Sequence, residues 1–386
     1  MATRGKPDRR NRDEASLIAE TATLSGPPAP PEMGADQGSA KLTPVPTTLA
    51  EAYDVLLFDL DGVVYIGGTP IAGAPEALRR ASQAGAHVAY VTNNASRTPA
   101  AVAALLDGMG APVTEADVVT SAQAAARLLA DRLPPKSKVL VIGATALRLA
   151  VRERGLVPVS TAAEHPLAVV QGFGPGIDYG RLAEGGLAVR AGALFVATNA
   201  DSTIPHAHGT APGNGSLLKV IEYATGQAPV VAGKPEPPLH RESVIRTGAR
   251  HPLVIGDRLD TDIEAAYNAG TDSLLVLTGV DNPRSVTLAP ANRRPTYIAE
   301  TLDALLEPYP EVTETASGVS CGGWTASAGE DGVLKVAGHG AAVDGLRALA
   351  RAAWTAQDKA QGGRGPLEPA QVASALDTLA AAGLRI

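Results

Sequence analysis

Asp59 and Asp61 stand one residue apart at the end of an uncharged apolar run, Val55-Leu56-Leu57-Phe58, and Gly62 follows them. An extended chain points alternate side chains the same way, so both carboxylates can face one crevice. Two carboxylates this close repel. Both stay ionised only beside a cation, or else one keeps a proton. The pair therefore asks for a metal, an acid–base role, or both, and Gly62 allows the backbone to turn sharply and approach a ligand. A strand ending in an ordinary Asp-Gly turn would read the same over these four residues. Three further positions decide between the readings. Thr92 and Asn93 follow the apolar stretch from His87, Lys234 follows Val230-Val231-Ala232-Gly233, and Asp257 and Asp262 follow Leu253-Val254-Ile255-Gly256. Together they supply a carboxylate nucleophile, a second carboxylate, a hydroxyl, a cation and more carboxylates. That set suits phosphoryl transfer, which needs chiefly positioning and electrostatic stabilisation. Hard oxygen ligands suit Mg2+, and a lysine neutralises phosphate as a point charge.

These groups need a scaffold that gathers strand ends at one edge. The pattern from Val55 alternates apolar strands with helices: 87–92, 118–120, 253–255, 273–277 and 297–299 read as strands. Buried strands in alternating βα units make a doubly wound parallel α/β sheet, with ligands outside the carboxyl ends of its strands. A second alternating set, 134–228, reads as an inserted α/β domain between the two halves of the core, 51–133 and 229–310. It contains a long polar stretch from Asn199 to Gly215, and a loop of that length in a compact domain is often functional. Residues 1–50, rich in Pro, Ala, Gly and Thr, read as a disordered tail. Residues 311–386 read as a small α/β module, with a hairpin across Gly329–Gly332 and two helices, that docks on the rest.

The bulk properties narrow the class. The chain has 386 residues, 45% of them hydrophobic and only 3% aromatic, so its cores must be built from Ala, Val and Leu. A net charge of −7 argues against a general nucleic-acid surface. One cysteine, Cys321, excludes an internal disulfide and fits a reducing compartment. The N-terminus carries charges and lacks an apolar signal core, and no apolar run reaches the ~20 residues of a membrane helix. A cytoplasmic protein with no membrane and no nucleic-acid partner is the expectation. The spacing Gly172-x-Gly174-x-Gly176 lacks the glycine a dinucleotide loop requires.

The motifs resemble those of the haloacid-dehalogenase superfamily of phosphatases. The resemblance rests on Asp59-Leu60-Asp61-Gly62, Thr92, Lys234 and the acidic loop Gly256-Asp257 to Asp262. The stretches Thr92-Asn93-Asn94-Ala95-Ser96 and Gly233-Lys234-Pro235 are similar to the NagD-like subfamily, although Ala95 stands where a serine is usual. The resemblance implies that Asp59 attacks phosphorus to form an aspartyl-phosphate and that Asp61 is the general acid and base. It implies Mg2+ held by Asp59, the Asp61 carbonyl and Asp257, with Asp262 behind them. Thr92, Asn93 and Lys234 would bind the phosphate. The inserted domain becomes a cap that excludes water, and Asn199, Asp201, Ile204 and His206 form its specificity loop. His206 and His208 have metal-ligand chemistry and close spacing, but read as loop residues. The implied partner is a small phosphorylated metabolite, and the implied assembly a homodimer through the cap. No aromatic residue lies between Asn199 and His206, which favours a polyol phosphate such as glycerol 3-phosphate over stacked ligands. Phosphoglycolate, pyridoxal phosphate, a nucleoside monophosphate, or a non-catalytic phosphate-binding scaffold are the alternatives. The C-terminal module resembles part of an acetyltransferase-like fold seen on some actinobacterial relatives, and has no complete pyrophosphate-binding loop.

Overall fold

The computed structural model describes residues 48–206, 208–315, 318–329, 332–359 and 367–386, without the side chains of residues 205 and 206. Most of the tail, the tip of the C-terminal hairpin and the break at 361–366 lie outside these residues. Thr48 is described, and it caps the short helix Leu49–Ala52 through a reciprocal pair with Glu51, so helical structure is already present at the expected boundary.

The core sheet has six parallel strands in the order Tyr297–Ala299, Asp272–Val276, Pro252–Gly256, Val55–Phe58, His87–Thr92, Val118–Thr120. Successive side chains of its strands alternate between two apolar clusters. Leu56, Phe58, Val88 and Tyr90 enter one, while Val55, Leu57, Ala89 and Val91 enter the other. Burial on both faces explains why these strands are apolar throughout.

A second parallel sheet runs Val230–Val231, Leu194–Ala197, Ala168–Gln171, Lys138–Ile142, Val157–Val159. Val230–Val231, read from sequence as the restart of the core set, pairs with this sheet instead. The two sheets share an apolar layer. Val139, Val141 and Val170 of the second sheet join the same cluster as Leu57 and Val91 of the first. The helix Ser121–Arg132 lies in that layer and buries eight residues, from Ser121 through Ala126 together with Leu128 and Leu129. The polar stretch after Asn199 is not a simple loop, because Thr203–His206 and Gly209–Pro212 pair as an antiparallel hairpin.

The C-terminal segment forms a four-stranded antiparallel sheet, Val312–Thr315, Gly318–Cys321, Trp324–Ala328 and Leu334–Gly338. The expected hairpin is its last pair. The helices Ala342–Lys359 and Pro369–Ala381 cover it. Leu346, Leu349 and Trp354 share one apolar cluster with Leu259, Ile263, Leu275 and Ile298 of the core. Trp354 Nε1 donates to Val286 O at 3.0 Å, and Arg347 Nε to Ile298 O at 2.9 Å. The module is thus packed onto the core edge strand rather than tethered to it.

Candidate active site

Asp59 leaves the strand Val55–Phe58 with its amide still bonded to Ile255 O at 2.8 Å, so the ladder aims its side chain past the sheet edge. Lys234 reaches it from the far end of the insertion. Its Nζ lies 2.5 Å from Asp59 Oδ1, 2.7 Å from Asp262 Oδ1 and 3.1 Å from Val91 O. Burial opposes the lysine charge, yet the carboxylates of Asp262 and Asp59 hold its pKa above the ordinary value. Asp257 closes the strand Pro252–Gly256 and is fully buried. Its Oδ2 accepts from Val280 N at 2.8 Å, while its Oδ1 has no hydrogen-bond partner. Asp262 Oδ2 accepts from Arg258 N at 3.2 Å.

Glycines make room for this arrangement. A Cβ on Gly62, which has φ +91°, would stand 2.3 Å from Asp257 Oδ2, and one on Gly279 would stand 2.0 Å from it. Asp257 is therefore wedged between two backbone segments that tolerate no side chain.

Among the described residues, Asp59, Asp257 and Asp262 each bring a carboxylate oxygen within 4.8 Å of the other two. Burial pushes the Asp59 carboxyl up to about 7 against the pull of Lys234. Burial also pushes Asp257 up to about 8, helped by the charges of Asp262 and Asp59. A single ammonium does not neutralise three carboxylates. The buried, unpartnered Asp257 Oδ1 and the all-oxygen donor set fit a hard divalent cation. Asp61 is exposed, and its carboxylate is not part of this cluster. Asp262, expected behind the ligands, belongs to the cluster by distance.

Thr92 ends its strand buried, and its Oγ1 accepts from Asn94 N at 3.1 Å. The Asn93 side chain is committed. Its Oδ1 accepts from Lys234 N at 2.8 Å, and its Nδ2 donates to Lys234 O at 3.2 Å and to Asp201 Oδ1 at 3.1 Å. A contact to phosphate would therefore fall to its backbone amide. The inserted domain meets the same residue. Asn199 Nδ2 donates to Asn93 O at 2.7 Å, and Asp201, held by burial above the ordinary carboxylate range, accepts from its amide. Ile204 sits half-buried on the hairpin, paired with Ala211. The His206 side chain lies outside the described residues. Of the charged residues singled out from the sequence, the structure brings Asp59, Lys234, Asp257 and Asp262 together; the glycine at 279 and the linking role of Asn93 were not foreseen.

A site of this composition, at the carboxyl edge of a doubly wound sheet, defines a class, and comparison with known proteins agrees. Residues 56–157 match the haloacid dehalogenase-like hydrolase family and residues 231–305 a HAD-hydrolase-like family. Residues 321–384 match a GCN5-related N-acetyltransferase-like domain. The chain belongs to the haloacid dehalogenase-like hydrolase family.

Among its relatives, the D-glycerol 3-phosphate phosphatase of Mycobacterium tuberculosis is 49% identical over 258 residues, covering 67% of this chain and 72% of that protein. The 5'-nucleotidase YutF of Bacillus subtilis is 41% identical over 61% of this chain and 92% of its own length. The crystal structure of the M. tuberculosis glycerol phosphate phosphatase Rv1692 in complex with magnesium superposes with a TM-score of 0.75 at 41% identity, over 86% of this chain and 99% of that one. A nitrophenylphosphatase structure from Geobacillus stearothermophilus gives 0.59 at 33% identity, over 65% of this chain and 97% of that one.

Proposed function

We propose that this protein is a Mg2+-dependent phosphomonoesterase whose substrate is a small polyol phosphate, glycerol 3-phosphate first. The observation that carries the substrate is the 49% identity to an enzyme of that name. The match of the solved relative over 86% of this chain and 99% of its own length, more than the core and inserted domain alone hold, supports it. In this reading Asp59 is the nucleophile and Lys234 both steers its carboxylate and receives the phosphate charge. Asp59 and Asp257 hold the cation, with the Asp61 carbonyl, and Asp262 stands beside them. The bound cation would offset charge on the phosphate and on the carboxylates. In the same reading Asp61, which is exposed, gives a proton to the leaving alcohol and then takes one from water. Thr92 and the Asn93 amide line the phosphate side. Asp201 and Asn199 come down from the inserted domain toward the rest of the substrate.

The phosphate partner is a small metabolite rather than nucleic acid, in line with the negative net charge. No helix among the described residues is long and apolar enough to cross a membrane. The lone cysteine supports a cytoplasmic setting. A homodimer through the cap is supported by its two neighbouring helices, Tyr179–Arg190 and Asn214–Thr225, which expose Tyr179 at 83%, Leu187 at 59% and Tyr223 at 96%.

The test is a panel of phosphomonoesters assayed with and without Mg2+. Glycerol 3-phosphate should give the highest kcat/KM, and chelation should remove activity. A 5'-nucleotide or phosphoglycolate preferred by tenfold or more would overturn the substrate assignment.

A further inference from the structure

Glu242, on the helix Pro237–Thr247, is 0% exposed and is gripped by three arginines from three segments. Arg246 Nε, one turn on along the same helix, is 2.6 Å away. Arg127 Nε comes from the helix Ser121–Arg132. Arg154 Nη2, at 2.7 Å, comes from the end of the cap helix Thr145–Glu153. A buried carboxylate is retained only where it is well paired, and one of its partners here crosses from cap to core. The apolar layer running from Leu57 and Val91 through Leu129 to Leu147 and Val151 crosses at the same place.

We propose that the Arg154–Glu242 pair is a pin that seats the cap on the core and thereby positions the cap residues over the active centre. Glu242 is a positioning residue, because it touches none of the reacting groups. Its helix begins three residues after Lys234. The seat of the cap in turn fixes the height at which Asn199 and Asp201 meet Asn93, whose side chain grips Lys234. A cap anchored through a fully paired buried carboxylate and a shared apolar layer does not swing as a free body. Loosening it would misplace Asn199 and Asp201 without removing any catalytic group. The inference uses KM and so rests in part on the phosphatase reading above.

Arg246 supplies an internal control, since it bonds the same carboxylate without leaving its own helix. Arg154→Met and Arg246→Met are each compared with the unaltered full chain for melting temperature, KM, kcat and amide exchange in 133–142 and 198–201. Both variants should melt lower. Only Arg154→Met should raise KM, by about threefold or more, as expected for changes along a coupling path, with faster exchange in those segments. Arg154→Lys should recover part of both. Equal loss of melting temperature with KM and exchange unchanged in both variants would make the cluster a purely structural tie and overturn the proposal. So would an Arg246→Met effect on KM as large as that of Arg154→Met. If the unaltered protein hydrolyses no phosphomonoester, the functional reading fails, while the exchange comparison still decides whether Arg154 pins the cap.

Discussion

The two parallel sheets of this chain share strands rich in valine and leucine that are buried at the sheet centres, yet their carboxyl edges differ in kind. The core edge carries Asp59 and Asp257 with Asp262 beside them, and Lys234, which follows the second sheet's strand Val230–Val231, reaches into that cluster. Apart from that lysine, the cap edge carries Gln171, Thr198 and Asn214, all uncharged and buried, with Gln171 Oε1 and Nε2, Thr198 Oγ1 and Asn214 Oδ1 unpartnered among the described residues. Sheet geometry offers a ligand-binding edge in both cases. What separates a reactive edge from a structural one is the charge placed there and the tight backbone that holds it. Glycines serve both edges differently. At Gly62 and Gly279 they admit a carboxylate, whereas a Cβ on Gly172 would collide with Thr198 and one on Gly174 with the Ala144 backbone. The spaced glycines after Gln171 therefore allow close packing of loops.

The sharpest break of the contrast is Asp59→Asn. The amide is nearly isosteric but does not attack phosphorus, so kcat should fall by about 10^3-fold or more, as when a nucleophile is removed from other covalent enzymes. Circular dichroism should be unchanged. A folded variant retaining a few per cent of activity would refute the covalent role.

Next in size is Asp257→Ala. It removes one of few protein ligands available to a cation of this kind, and the Mg2+ concentration for half-maximal rate should rise by about 10- to 100-fold. An unchanged metal titration would reduce Asp257 to a structural group between Gly62 and Gly279.

The same charges predict how pH acts on the metal-free protein. Asp59 and Asp257 have folded-state pKa values raised to about 7 and about 8, against about 3.9 when unfolded. Their contribution to stability is full below the unfolded value and is lost as pH rises through the folded values. Mg2+ favours the ionised carboxylates, so its stabilising effect should grow over the same range. The melting-temperature gain on adding Mg2+ should be larger at about pH 8 than at about pH 5. Equal gains at both would show that these carboxylates are already ionised without metal.

The reactive edge was legible in the sequence because each of its residues follows an uncharged run, and a charge there is conspicuous. The tie at Glu242 was not. Glu242 lies 115 residues from Arg127 and 88 from Arg154, and on its own helix it reads as half of an ordinary surface pair with Arg246. The hairpin Thr203–Pro212 was hidden because its strands hold prolines and few apolar residues. Val230–Val231 was assigned to the wrong sheet because two valines before a motif lysine carry no information about which sheet they join. The first two strands of the C-terminal sheet went unread, and for one of them the reason is related: Val312–Thr315 is mostly exposed, so it lacks the apolar alternation that marks the strands beside it.

The smallest expected effect tests the quiet side of the comparison. Thr198 closes the cap strand Leu194–Ala197 and is fully buried, with its hydroxyl unpartnered. A buried polar group without a partner costs about 1–3 kcal/mol, so Thr198→Val, which keeps the branched shape, should leave stability unchanged or raise it by up to about 1 kcal/mol. The backbone around it should hold, since Thr198 N remains bonded to Gln171 O at 2.8 Å. If the cap edge is structural, kcat and KM should move by less than about twofold, a difference of under about 0.5 kcal/mol. Chemical denaturation and steady-state kinetics measure both. A loss of more than about 1 kcal/mol would mean that the hydroxyl has a partner such as a buried water. A loss of activity without a loss of stability would mean that the cap edge takes part in binding, and the division drawn here between a reactive and a structural edge would be wrong.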